Sequence, residues 1–352
     1  MTDRSLADPA LAGQPGAGPL AGIRVVDLSS LLPGPLAAET LAEAGAEVLK
    51  IEPPGGDGVF GLPAGPVWGG AAHALLNRGK RVVRLDLKSD GGRAELRRAL
   101  EGADVLIEQF RPGVMARLGF GYATVSGWNP RLVYCSITGY GQEGPAAGDA
   151  GHDLNYVAAA GLLAEPPPGA PADAVAEPPP VLAADIGGGT MPALVNILLA
   201  LWERQTTGRG RHLDIAMATM VRVFAFPHRP TLDAFGALTP AGMGGLTGGS
   251  ARYAVYPTAD GRRLAVAALE PKFWDNVCRI IELPEALRDD SRDPAATRRA
   301  VAERLLTRTA ADWMTAFGGD TCVSPVRTAA EALAGEEAYP MPLVPGLRRG
   351  RP

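Results

Sequence analysis

Along the first two thirds of the chain, short β-branched and aliphatic runs alternate with stretches rich in Ala, Leu and Glu. The runs predict strands at Ile23–Leu28 (IRVVDL), Ala46–Ile51 (AEVLKI), Arg81–Leu87, Asp104–Phe110, Leu132–Thr138 and Arg211–Met217. Between them lie helical stretches at Leu36–Ala44, entered through Pro33-Gly34-Pro35, at Gly92–Leu100 and at Asp153–Leu163. A longer helix opens at Gly187–Gly189 and runs to about Arg204, and another follows the strand at Arg211–Met217. Strictly alternating strands and helices of this kind predict a parallel α/β sheet.

The pattern changes near residue 225. His228–Gly249 reads as loop, and alternating runs at Arg252–Thr258 and Arg262–Ala268 flank Ala259-Asp260-Gly261, a hairpin signature. Helices around Pro271–Ile281 and Ala296–Phe317 and a strand near Cys322–Val326 complete a smaller α+β domain. The expected organisation is a loose leader over 1–19, a large α/β domain over 20–224, and a small α+β domain over 225–328. A C-terminal segment, 329–352, is expected to return towards the large domain. Residues 164–181 form a proline-rich excursion, semi-rigid at best. No internal repeat is visible.

Composition narrows the function. In 352 residues, 46% are apolar and 20% charged, ordinary for a chain with a real core. A net charge of −4 provides no electrostatic footprint for nucleic acid or an anionic membrane surface. Only four cations are lysines, Lys50, Lys80, Lys88 and Lys272, against 34 Lys and Arg together. Cys135, Cys278 and Cys322 are far apart with no C-x-x-C pair, so neither a disulfide framework nor a zinc site is expected. The opening residues lack a basic region followed by an apolar one, and the run around Met191–Trp202 is short for a bilayer. A cytoplasmic protein without metal is the expectation.

Familiar catalytic motifs are absent. The segment after the first strand, Ser29 to Pro35, does not fit the G-x-G-x-x-G of a dinucleotide site, and no P-loop, G-x-S-x-G or H-E-x-x-H occurs. Two segments remain. Gly151-His152-Asp153-Leu154-Asn155-Tyr156 follows a strand and precedes an Ala-rich helix, and Ala184-Asp185-Ile186-Gly187-Gly188-Gly189 precedes the long helix. Loops after parallel strands gather at one sheet edge, where sites in such folds lie. Amide N–H groups of the glycine-rich turn are expected to hold Asp185 ionised. Plain alternatives stand beside these readings: Asp185 as a helix N-cap, His152 and Asp153 as a pair fixing a loop, and Glu270, before Pro271, as an acidic residue in a first turn.

At this point the sequence resembles the family III CoA-transferases, the group that includes formyl-CoA transferase and α-methylacyl-CoA racemase. The resemblance is carried by GPLAGIRVVDLSSLLPGPLAAETLAEAGAEVLKIEPPGGD, LNRGKRVVRLDLKSDGGRAEL, ADVLIEQFRPGVMARLGFGY, NPRLVYCSITGYGQEGP, DIGGGTMPALVNILLALWERQTTGRGRHLDIAM and CVSPVRTAAEAL, spanning nearly the whole chain. It implies a Rossmann-like large domain and an interlocked homodimer in which each chain threads the other's ring. It implies a nucleophilic aspartate at Asp185 if the chain is a transferase. The racemase branch adds a histidine in Gly-His-Asp-x-Asn-Tyr, here His152, and a glutamate in Ala-Leu-Glu-Pro, here Glu270. All three marks are present, so the chain is most similar to the racemase branch. The CoA moiety of the substrate would then lie along Leu85, Lys88, Arg111, Arg117, Gly151, Asp153 and Tyr156, with no other cofactor. One departure stands out: Pro53 follows Glu52 where many relatives carry arginine.

The chemistry makes sense of these residues. Inverting a carbon next to a thioester removes a proton from one face and returns one to the other, which needs two acid/base groups on opposite sides. Reference values near 3.9 and 6.5 make Asp⁻ with His⁺ the expected starting state, with Glu270 favouring the imidazolium. A helix-start N–H near Asp153 is the candidate donor to the enolate oxygen. The expected activity is racemisation of 2-methylacyl-CoA thioesters in lipid metabolism. The alternatives are transfer of CoA between carboxylic acids through Asp185, and CoA binding without turnover.

Overall fold

A computed structural model describes residues 18–61, 69–163, 178–226, 228–237, 244–334, 343 and 347–348. The leader (apart from 18–19), residues 164–177 of the proline-rich excursion, 238–243 of the loop after 231, and most of the C-terminal segment lie outside them. The described chain divides into two units, one built from 18–163, 178–226, 343 and 347–348, the other from 228–334.

In the first unit, six parallel strands form a sheet of order β3-β2-β1-β4-β5-β6. These are β1 (Arg24–Leu28), β2 (Glu47–Glu52), β3 (Arg81–Arg84), β4 (Val105–Glu108), β5 (Val133–Thr138) and β6 (His212–Ala216). The helices connecting them are α1 (Pro33–Glu43), α2 (Gly70–Leu76), α3 (Asp90–Glu101), α4 (Val114–Arg117), α5 (Tyr122–Trp128), α6 (Asp153–Ala159), α7 (Met191–Thr207) and α8 (Met217–Met220). The order reverses between β1 and β4, so the loops after those strands face each other at the carboxyl edge, the usual ligand position in doubly wound sheets. Gly34 N–H donates to Gln109 Oε1 at 2.9 Å across that switch point.

The central strands bury residues of both parities, which is why they read as near-continuous apolar runs. Val25, Val105, Ile107, Val133 and Ile137 pack with Ala38 and Leu41 of α1 and Ala193 and Ile197 of α7. On the opposite face Val26, Leu106 and Tyr134 pack with Leu96 and Leu100 of α3 and Val125 of α5. β3 ends at Arg84 rather than Leu87, because residues 86–89 turn into α3, whose first turn is capped by Ser89 Oγ accepting Gly92 N–H at 3.0 Å.

The long helix begins earlier than expected. Ala183–Thr190 form a wide π-turned segment continuous with α7, and Asp185 sits inside it rather than at a helix cap. By length and composition, residues 183–207 are apolar enough to cross a membrane, but half of the apolar window is buried within the protein.

In the second unit β7 (Tyr253–Pro257), β8 (Arg263–Ala267) and β9 (Val323–Pro325) form an antiparallel sheet. Helices α9 (His228–Phe235), α10 (Pro271–Ile280), α11 (Pro294–Leu305), α12 (Ala310–Phe317) and α13 (Ala329–Leu333) accompany it. α9 replaces the expected loop. It buries none of its residues, so no apolar stripe advertises it, and an Arg229–Asp233 pair at 2.8 Å spans one turn. The single helix expected over 296–317 is two, because Thr309 caps α12 by accepting Asp312 N–H at 3.1 Å.

Candidate active site

The two segments singled out in the sequence meet through a carboxylate. Asp153 Oδ1 accepts the backbone N–H groups of Ala184 at 2.7 Å and of Asp185 at 2.8 Å. The first residue of α6 therefore clamps the start of the π-turned segment, and His152 immediately precedes that residue in the chain. His152 is exposed; its N–H donates to Asn155 Oδ1 at 3.0 Å and its carbonyl accepts Asn155 N–H at 2.9 Å, closing the first turn of α6.

Glycine makes the π turn possible. A Cβ on Gly188 would lie 2.6 Å from the Met217 carbonyl oxygen, and one on Gly189 2.9 Å from Pro33 Cβ. The wide turn is thus pressed against α8 and the entry to α1. π turns are rare and concentrate at functional positions.

Asp185 is half-buried, and its carboxyl is raised to about 7, first by burial and then by the nearby negative charge of Asp153. This corrects the expectation of an aspartate held ionised by the turn's amides: the amides of Ala184 and Asp185 are committed to Asp153. A starting state of Asp⁻ with His⁺ therefore does not follow from reference values, since near neutrality Asp185 is present in both forms.

Tyr156 is buried, its hydroxyl donates to the Gly151 carbonyl, and its ring stands edge-on to Tyr140 at 5.3 Å between centroids. Burial, followed by the charge of Asp185, pushes its phenol up to about 12. A side chain at Gly151 would run into that ring, at 2.7 Å from Cβ. Leu85 and Lys88 follow β3, and Arg111 and Arg117 follow β4, all at the carboxyl edge. Lys88, Arg111 and Arg117 are exposed, whereas Leu85 packs against the core and donates its N–H to the Glu52 carbonyl at 2.9 Å.

Glu270 belongs to the second unit. Its carbonyl accepts the N–H groups of Phe273 and Trp274, both at 3.1 Å, so the backbone and not the carboxylate caps α10. Glu108, at the end of β4, was not singled out from the sequence; burial, then the charge of Asp214, places its carboxyl at about 7 despite the Phe110 N–H it accepts at 2.9 Å. Nothing local in the sequence marks it, because its burial depends on the neighbouring strands.

Comparison with known proteins places this site in context. The model of CoA-transferase family III matches residues 20–345. Alpha-methylacyl-CoA racemase of Mus musculus is 37% identical over 320 residues, covering 89% of this chain and 79% of that protein. Acetyl-CoA:oxalate CoA-transferase of Acetobacter aceti is 33% identical over 308 residues, covering 84% and 77%. The crystal structure of a CAIB/BAIF family protein from Brucella suis superposes with a TM-score of 0.78 at 28% identity, over 91% of this chain and 86% of that one.

Proposed function

The chain belongs to CoA-transferase family III, and from that premise we propose that it is a racemase of 2-methylacyl-CoA or related α-branched acyl-CoA thioesters, with Asp185 and His152 as the acid/base pair. One observation carries the reading: a carboxyl at about 7 stands in a turn that Asp153 ties to the histidine-bearing segment. A group that works as acid in one direction and base in the other serves best with its pKa near the working pH. An ordinary aspartate would be a poor acid at neutrality.

In this reading Asp185 removes or returns the α-proton on one face and His152 does so on the other. The carbanion is held as an enolate, and a helix-start N–H near Asp153 is the donor for its oxygen. Lys88, Arg111 and Arg117 suit the phosphates of CoA by charge, and Leu85, Gly151 and Tyr156 its less polar parts. A homodimer belongs to the same proposal: α7 exposes Leu198, Leu199 and Trp202, the last at 77%, an apolar face that a second copy would cover. Light scattering that reports the mass of two chains is the expected result.

The test is incubation of one enantiomer of a 2-methylacyl-CoA in deuterated water. Solvent label at C2 together with the opposite enantiomer is expected, and its absence overturns the reading. The transferase relatives favour a second reading, in which the Asp185 carboxylate attacks the thioester carbonyl, expels CoA thiolate and forms an acyl anhydride; the thiolate then attacks the aspartyl carbonyl, releasing the first acid and leaving an Asp185–CoA thioester. That reading predicts CoA transfer to an added acid, and an enzyme-bound thioester that hydroxylamine traps.

A further inference from the structure

Four ionisable side chains converge beneath the loop that joins β1 to α1. Asp27 and Lys50 are fully buried, Asp57 nearly so, and the Lys80 side chain shows no exposed area. Lys80 Nζ lies 2.9 Å from Asp27 Oδ2, and Lys50 Nζ lies 3.2 Å from Asp57 Oδ2 and 3.9 Å from Asp27 Oδ2. Two lysines and two aspartates are enclosed together.

Asp57 Oδ1 accepts Val59 N–H at 2.9 Å and Asp27 Oδ1 the Ser29 hydroxyl, and the other hydrogen bonds given for the cluster go to one stretch of backbone. Asp27 Oδ1 accepts Ser29 N–H at 2.9 Å, Lys50 donates to the Ser29 carbonyl, and Lys80 donates to the Pro35 carbonyl at 2.8 Å. Asp57 Oδ1 accepts Leu31 N–H at 3.1 Å, and Leu31 is held at a φ of 66°, a conformation that disfavours a leucine. The loop then reaches the π-turned segment. Thr190 Oγ donates to the Pro33 carbonyl at 2.8 Å and lies 3.4 Å from the Asp185 carbonyl oxygen.

A buried ion pair is weak evidence for stability, since apolar residues of similar size often serve as well. What charges provide here is a set of directed bonds to Ser29, Leu31 and Pro35. Composition agrees: in a chain with four lysines among 34 Lys and Arg, two of the four stand in this cluster. A compact ammonium fits a site that the planar fork of arginine would overfill.

We propose that the Asp27–Lys50–Asp57–Lys80 cluster is a positioning frame for Asp185, acting through the Ser29–Pro35 loop and the Thr190 hydroxyl. The proposal rests on the reading of Asp185 as an acid/base group. Thr190→Val cuts the last link without disturbing a charge, Thr190→Ser keeps it, and Lys80→Met unbalances the frame. The expected result for Thr190→Val is a fall of at least tenfold in kcat for solvent exchange with KM within twofold. Its limb near pH 7 moves, and Thr190→Ser recovers to within threefold. Lys80→Met, where it folds, behaves like Thr190→Val; where it does not, Thr190→Val decides. Asp185→Asn is measured alongside. If it is inactive while folded Thr190→Val keeps its kcat within twofold and its pH limb in place, the frame does not position Asp185. If Asp185→Asn itself remains active, the acid/base reading has failed instead.

Discussion

Asp153 Oδ1 stands 2.8 Å from the backbone nitrogen of Asp185, and that contact both fixes the turn and sets its chemistry. Burial raises the pKa of the Asp185 carboxyl, and the same carboxylate that holds the Asp185 amide raises it further by adding a negative charge beside it.

These two effects separate by substitution. Asp153→Asn keeps an oxygen acceptor for Ala184 and Asp185 but removes the charge, so the Asp185 limb of the pH–rate profile should move to lower pH with melting little changed. Asp153→Ala leaves two amides without their acceptor, at about 1–3 kcal/mol each where they are buried. A clear drop in melting temperature is expected, measured by circular dichroism.

The pH profile distinguishes the two chemistries. A racemase pair works with one proton shared between Asp185 and His152; a second proton removes the base and loss of the last removes the acid. The Asp⁻/His⁺ and AspH/His forms carry the same number of protons, so both enantiomers should give one and the same bell-shaped kcat/KM profile. A transferase nucleophile needs only the ionised Asp185, and transfer would rise through a single limb near 7. Initial rates from each enantiomer between pH 5 and 9 make the comparison.

Stability should depend on pH with a definite sign. The Asp185 carboxyl is raised in the folded state from an ordinary value of 3.8 to about 7, so its favourable contribution is present below about 4 and is lost as pH rises through 7. Glu39 and Glu108, both raised to about 7 chiefly by burial, act in the same direction. Asp185→Asn removes one of these groups. It should melt above the parent, by a margin that widens from pH 5 to pH 8; a margin independent of pH would contradict the burial of this carboxyl.

Two adjacent glycines should respond differently. Gly188→Ala drives a methyl against the Met217 backbone oxygen, which has nowhere to go, so a loss of about 1–3 kcal/mol and most of the exchange activity is expected. Gly187→Ala meets the Phe224 ring, at 2.3 Å, but that ring is 55% exposed and can swing aside. Urea unfolding should show the second variant nearer to the parent.

The strands of the large sheet were legible because burial on both faces leaves uninterrupted runs such as Val133–Thr138. Helices with an apolar stripe, such as α3 and α10, were legible too. α9, none of whose residues is buried, stands where a loop was expected, and Thr309 divided a stretch that looked continuous. At the site, His152, Asp185 and Glu270 were chosen from resemblance more than from spacing. The raised Asp185 carboxyl differs from the expectation because its burial, and after that the charge of Asp153 32 residues earlier, depend on the fold and on no local window.

The π-turned segment has a consequence for insertion and deletion. Each residue of a regular α-helix advances by about 100° around the axis, and a π turn holds one residue more than an α turn. Shortening Ala183–Thr190 by one glycine would let the helix close into ordinary register, swinging Asp185 about a quarter-circle or more around the axis of α7. Every candidate side chain would still be encoded, yet the carboxyl would face elsewhere. Length in this stretch is therefore as much a part of the reactive group as the aspartate itself.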